Sequence, residues 1–115
     1  MTNKSKKIMS EISAGELFDK MSILEIKLDK IKDQNSQNEI KKEYNILKET
    51  LNSNIDLNDD VKNLLKELKE TNQNLWNIED KLRVCEKNKD FGKNFVELAR
   101  GVYLNNDKRS KIKSQ

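Results

Sequence analysis

Three arginines are the residues of this sequence whose type and placement are best suited to binding or chemistry. Of 23 basic residues, only Arg83, Arg100 and Arg109 are arginine, and all three lie in the C-terminal third. A guanidinium offers a planar, bidentate set of donors that an ammonium does not, so arginine in a lysine-rich chain indicates a need for that geometry. These positions are therefore candidates for binding a carboxylate or a phosphate.

Acidic and aromatic residues lie close in sequence to two of these arginines. Helical spacing allows Arg83 to reach Glu79 or Asp80, and Arg100 to reach Glu97. One interpretation is a partly buried ion-pair network that docks a C-terminal helix, and the other is an anion pocket. The candidate ligand-binding residues are Arg83, Arg100, Trp76, Glu79, Asp80, Tyr103, Ser13 and Gly15.

Ser13 and Gly15 belong to this set because they begin a helix. Ser13 is followed three residues later by Glu16, which is a capping box. Glycine in a first helical turn costs stability relative to alanine, so Gly15 indicates close approach by another helix or by an anion at the free N–H groups. A phosphate or carboxylate site is expected if this cap faces Arg83 and Arg100, and the sequence does not show whether they meet.

The residue inventory limits the chemistry further. The sequence contains no histidine, the side chain best suited to acid–base work near neutral pH and the commonest metal ligand. The single Cys85 cannot form an internal disulfide. We expect no metal and no cofactor, and we expect a protein that binds rather than catalyses. The alternative is a small protein that binds an anionic metabolite, or a metal-free helical enzyme that uses arginine and carboxylate side chains.

Periodic apolar residues predict the helices that carry these side chains. The first helix is predicted from about Ala14 to Lys32, with one heptad seam formed by Leu17, Met21, Leu24, Leu28 and Ile31. Ile12, Ile23 and Ile26 fall on a different side of it, so we expect this helix to be covered on two faces. The polar run at 33–38 predicts a break, because asparagine and serine compete for backbone hydrogen bonds.

A second group of helices is predicted in the rest of the chain. After a second apolar stripe at 40–51, Asn58 is expected to cap a long third helix over 59–88. Its heptad positions are Val61, Leu64, Leu68, Thr71, Leu75, Ile78, Leu82 and Cys85. A short fourth helix follows from Phe91 and is predicted to end at Asn105 and Asn106, before a basic turn.

The composition predicts an all-α fold, an antiparallel helical hairpin or bundle with a short C-terminal helix. There is no proline, and the hydrophobic fraction is only 34%, so the thin core favours a homo-oligomer. The predicted organisation is a disordered basic tail at 1–10, one domain at 11–107 and a basic turn at 108–115. A net charge of +3 is too small to predict a nucleic-acid or membrane partner, and we expect a cytoplasmic protein.

Three segments carry a resemblance to a known family. They are ISAGELFDKMSILEIKLDKI, NLWNIEDKLRVCE and DFGKNFVELARGVYLNNDKRSKIK, and together they resemble an uncharacterised family of small helical proteins, a domain of unknown function found in bacteria and bacteriophages. The resemblance carries over no catalytic residue. Members that occur near sugar-transferring enzymes imply an accessory role, and we expect a non-enzymatic interaction or accessory protein, with itself, another protein or a small anion as partner.

Overall fold

The computed structural model describes residues 8–114, and helices make up most of that range. They are α1 (Ala14–Lys30), α2 (Gln34–Asn54), α3 (Asp59–Lys87) and α4 (Lys93–Lys113). No strand occurs among the described residues, so the all-α prediction is confirmed. Residues 1–7 of the predicted basic tail lie outside the described residues.

Side-chain caps set where three of the helices begin. Ser13, Asp33 and Asn58 each accept a hydrogen bond from the backbone N–H three residues later, at 3.1, 2.9 and 2.9 Å. These bonds satisfy donors that the first helical turn leaves without an intrahelical partner. The bond from the Ser36 backbone N–H also lowers the pKa of the Asp33 carboxyl, because it stabilises the charged form.

The predicted break after the first helix is confirmed, but it is shorter and earlier than the polar run at 33–38. α1 ends at Lys30 and α2 begins at Gln34. Because Asp33 caps α2, the asparagines and serine that follow it join the first turns instead of interrupting them. Gln37 then ties the connection together, since its side-chain amide donates to the carbonyls of Leu28 at 3.1 Å and Ile31 at 2.9 Å.

The predicted end of the fourth helix is wrong. α4 continues through Asn105 and Asn106 to Lys113, so residues 108–113 form its last turns. The Asn105 side-chain amide donates to the Gly101 carbonyl at 2.8 Å and so finds a partner without ending the helix. Ile112 is buried in the core. Packing of this last segment therefore outweighs the weak helix propensity of two asparagines.

α1 is the central element, because it contacts α2, α3 and α4. The contacts between α3 and α4 step in opposite directions along the two helices, joining Asn72 to Arg109, Ile78 to Gly101 and Cys85 to Asn94. The main core cluster comes from all four helices and consists of Leu17, Phe18, Met21, Leu51, Leu68 and Ile112. α1 thus brings the α3–α4 pair and α2 into one hydrophobic core.

The predicted stripes face the interior. Every heptad position predicted on α3 is buried or half-buried. On the second face of α1, Ile26 is 1% exposed and Ile23 is half-buried, so the helix is covered on two sides there. Ile12, which precedes the helix, is 48% exposed, so the predicted cover does not extend to it.

Candidate functional site

A buried polar network joins α1 to α3. Asp19, Ser22 and Asn72 are only 6%, 2% and 4% exposed. The Asn72 side-chain amide donates to Asp19 Oδ1 at 2.9 Å and to Ser22 Oγ at 2.7 Å, and the Ser22 hydroxyl donates to the Asp19 carbonyl at 2.8 Å. Among residues 8–114 no buried side-chain nitrogen or oxygen lacks a hydrogen-bond partner. The network is therefore satisfied, as stable burial requires.

Two cations from the last turns of α4 complete this network. Arg109 Nη1 donates to Asn72 Oδ1 at 3.4 Å, and Arg109 Nε lies 4.0 Å from Asp19 Oδ1. Lys113 Nζ lies 3.8 Å from Asp19 Oδ2 and 3.0 Å from Glu16 Oε1. Positive charge beside Asp19 offsets the cost of burying its carboxylate. An ion-pair network does dock α4, as one interpretation predicted, but Arg109 supplies the guanidinium.

Gly15 allows the end of α4 to approach α1. A Cβ added at Gly15 would overlap the carbonyl oxygen of Lys113 and lie 2.8 Å from its Cα. Only a residue without a Cβ permits this contact between two backbones. The expectation of a closely approaching helix at Gly15 is therefore confirmed.

A cavity of about 360 Å³ adjoins the network and lies between α1, α3 and α4. Its wall combines apolar side chains with amides, one guanidinium and one carboxylate. The lining residues are Ile23 and Ile26 of α1, Asn72, Leu75, Trp76 and Glu79 of α3, and Asn106 and Arg109 of α4. Its volume is within the range of cavities that bind small molecules. Half of its eight lining residues are polar or charged, so its wall is more polar than is usual for such a site.

The structure brings two of the predicted site residues to this cavity and places two others elsewhere. Trp76 and Glu79 line it. Arg83 Nη1 instead pairs with Asp80 Oδ1 at 2.8 Å on the exposed surface of α3. Such an exposed pair on one helix contributes little to stability.

The remaining predicted site residues are also dispersed. Arg100 and Tyr103 are exposed on α4. Ser13 caps α1 and lines a separate cavity with Thr50 and Asn54 of α2. The structure does not join Ser13 and Gly15 to Arg83 or Arg100, and a ligand-binding role for these residues stays a prediction.

Sequence reasoning missed Asp19 and Asn72 and placed Arg109 in a terminal turn. The signal for Asp19 was present, because it shares the heptad seam of Ile12, Ile23 and Ile26 on the second face of α1. A carboxylate in an apolar seam requires a buried partner. Asn72 gives a weaker signal, since it lies one residue beside the α3 stripe.

A second polar cluster ties α1 to α3 near Tyr44 of α2. Lys69 Nζ lies 2.9 Å from Glu25 Oε1, and this hydrogen bond is the main cause that raises the pKa of the Lys69 ammonium. Burial, and then the negative charge of Glu25, raises the pKa of the Tyr44 phenol. Both pKa shifts favour the protonated forms, a charged Lys69 and a neutral Tyr44, at neutral pH.

The described residues contain no group of three metal-ligating side chains close enough to hold an ion. No helix in that same part of the chain is both long and apolar enough to cross a membrane.

The fold and the site define a small all-α protein with a buried polar network and an adjoining cavity. Residues 8–115 match the family model described as Family of unknown function (DUF6165), and the chain belongs to this family. The resemblance to an uncharacterised helical family is thereby confirmed. Comparison with curated proteins and with solved structures finds no match.

Proposed function

We propose that the protein is a non-enzymatic interaction protein that acts as a homo-oligomer. Two copies pair through a surface that we call the distal face. It is formed by Leu82, Arg83 and Glu86 of α3 and by Phe95, Val96, Ala99, Val102 and Tyr103 of α4.

The single observation that supports this proposal most is that, within the described range 8–114, α1 covers the groove between α3 and α4 at one end only. Near Asn72 and Arg109, Ile23 and Ile26 of α1 line the groove. On the distal face, a groove of about 450 Å³ is lined by residues of α3 and α4 alone. An exposed apolar groove of this kind is a surface that a partner is expected to cover.

The periodicity of α4 supports the same conclusion. Phe95, Ala99 and Val102 follow one another at the spacing of a heptad seam, and Val96 and Tyr103 flank them seven residues apart. The last two side chains are about half exposed. The seam therefore has the pattern of a helix that packs on another helix, but among residues 8–114 no further helix lines the groove beside it.

A second copy is the occupant that the charges favour. Arg83 and Glu86 lie three residues apart at the edge of the distal face. Arg83 Nη1 is paired with Asp80 Oδ1 at 2.8 Å on its own helix, and its guanidinium has further N–H donors. In a two-fold symmetric interface the same surface meets itself, so those donors can face the Glu86 carboxylate of the other copy. This arrangement of charges supports pairing with a second copy.

Replacement of Val96 by glutamate tests the pairing. Val96 and Ile46 are 52% and 53% exposed, but Ile46 lies on α2, away from the distal face. We expect Val96→Glu to weaken self-association at least tenfold, because the interface would bury an unpaired charge. Ile46→Glu should leave self-association unchanged, as measured by sedimentation equilibrium.

If both substitutions weaken self-association equally, or if neither weakens it, the distal face is not the interface. Circular dichroism of each variant establishes that the helices are intact. If the wild-type protein is monomeric but binds another protein through Val96, then that protein, and not a second copy, covers the distal face.

Two further points belong to this proposal. Cys85 is buried and free, and we place the protein in the cytoplasm, where such a thiol stays reduced. The alternative of an enzyme or anion site built on Arg83 and Arg100 receives less support, because both guanidiniums are exposed and lie outside the cavity beside Asn72.

A further inference from the structure

We propose that the cavity between α1, α3 and α4 binds a small zwitterion whose carboxylate and ammonium groups are separated by an apolar spacer. Arg109 would hold the carboxylate and Glu79 the ammonium, with the spacer against Trp76. The inference does not depend on whether the protein pairs with itself.

At one end of the cavity, the Arg109 guanidinium has N–H donors that are free to bind a ligand. A guanidinium carries five N–H donors, and among the described residues only the 3.4 Å bond to Asn72 Oδ1 uses one of them. The nearest carboxylate, that of Asp19, is 4.0 Å from Nε. The Arg109 side chain is 29% exposed, so a ligand carboxylate can reach it and form the short bidentate pair that guanidinium favours.

Asp19 does not need Arg109 alone to remain paired. Its Oδ1 accepts from Asn72 at 2.9 Å, and its Oδ2 lies 3.8 Å from Lys113 Nζ. A ligand carboxylate that draws the guanidinium toward the cavity would therefore leave the buried Asp19 carboxylate with a hydrogen bond and a cation.

Glu79 provides a negative charge at the other end of the cavity. It is seven residues after Asn72 on α3, which is two helical turns or about 10 Å along the axis. None of the ion pairs among residues 8–114 involves Glu79. Its exposed carboxylate lines the cavity and is available to an ammonium group.

Apolar side chains also line the cavity, beside the amides of Asn72 and Asn106. They are Ile23, Ile26, Leu75 and the ring of Trp76. A ligand with methylene groups can bury them against these side chains, whereas a compact inorganic anion would lose hydration there without such a contact.

Three linear probes separate these contributions. They are 6-aminohexanoate, hexanoate, which lacks the ammonium, and hexylamine, which lacks the carboxylate. The single tryptophan of the sequence is Trp76, and it lines the cavity, so its fluorescence reports binding directly. We expect saturable binding of 6-aminohexanoate and at least tenfold weaker binding of each of the other two.

Two variants assign the ends. Arg109→Gln should weaken 6-aminohexanoate binding at least tenfold, whereas Arg100→Gln, an exposed position on the same helix, should not change it. In Glu79→Gln, the dissociation constants of 6-aminohexanoate and hexanoate should differ by no more than about twofold. Glu70→Gln is its control, because Glu70 is exposed on α3 outside this cavity.

Because Arg109 Nε also lies 4.0 Å from Asp19 Oδ1, the binding data of Arg109→Gln are interpreted only if its circular dichroism spectrum matches that of the wild type. Glu79 forms no ion pair with a member of the network among residues 8–114, so the Glu79→Gln result decides the assignment even if Arg109→Gln unfolds. The proposal is overturned if no probe gives a saturable response up to about 10 mM, or if folded Arg109→Gln or Glu79→Gln binds all three probes as the wild type does.

Discussion

At the residue scale, Asn72 is the side chain on which most contacts converge. It donates to Asp19 and Ser22 of α1 and accepts from Arg109 of α4. A buried acceptor that loses its donor retains the full cost of its desolvation, whereas the bond itself contributes less. The amide of Asn72 therefore matters mainly because it prevents unsatisfied groups in the core.

Replacement of Asn72 by alanine tests this role. We expect the free energy of unfolding to fall by about 1–3 kcal/mol, because Asp19 and Ser22 lose a donor in a buried site. Asn77→Ala is the matched control, since Asn77 lies exposed on the same helix and gains the same helix propensity. Denaturant unfolding measures both, and equal stability of the two variants would contradict the network.

Tyr44 gives a prediction of pH dependence. Its pKa is raised in the folded chain by burial and by Glu25, so the unfolded chain loses the phenolic proton first as the pH rises. Stability from this group is complete below the unfolded pKa of about 10 and is lost as the pH rises through the folded pKa. Lys69, whose pKa is also raised, contributes with the same sign in the same alkaline range.

Tyr44→Phe should therefore make the melting temperature fall less steeply between about pH 9 and pH 11. Tyr103→Phe is the control, with both substitutions made in the Val96→Glu variant so that pairing does not cover Tyr103, which is half exposed on α4. Thermal melts across this range measure the slopes. If the melting temperature of the Tyr44→Phe protein falls with pH as steeply as that of the protein that retains Tyr44, the pKa of the Tyr44 phenol is not raised in the folded chain.

At the scale of elements, the close contact of α1 with the end of α4 is the feature that a single Cβ can break. Gly15→Ala should lower the free energy of unfolding by about 1–3 kcal/mol, because the new Cβ overlaps the Lys113 backbone. This loss exceeds the gain of about 1 kcal/mol in helix propensity.

Gly101→Ala is the matched control within α4. Its Cβ would meet only the tip of the Ile78 side chain, at 3.1 Å, and that tip can move. We expect a much smaller effect than at Gly15, measured by the same denaturant unfolding. A Gly15→Ala protein as stable as Gly101→Ala would show that α4 does not approach α1 so closely.

The helices themselves follow from local signals, and the site follows from long-range contacts. Caps at Ser13 and Asn58 and the heptad stripe of α3 were predictable, because they depend on residues within one or two turns. The continuation of α4 past Asn105 and the partners of Asp19 were not, since they depend on residues 90 positions apart in sequence, such as Asp19 and Arg109.

At the scale of the whole molecule, the protein is more open than its length requires. The radius of gyration is 16.6 Å, against about 13 Å for a compact chain of this length. The 29 residues of α3 span about 44 Å along the helix axis, and among residues 8–114 only α3 and α4 line the groove of the distal face. Pairing of two copies would bury that face and give a compact assembly.

The mass of the wild-type protein in solution tests this account most directly. Light scattering at a protein concentration of tens of micromolar, near physiological salt, should give twice the chain mass of 13.5 kDa. A mass of one chain across that concentration range would contradict the proposal that two copies cover each other's distal face.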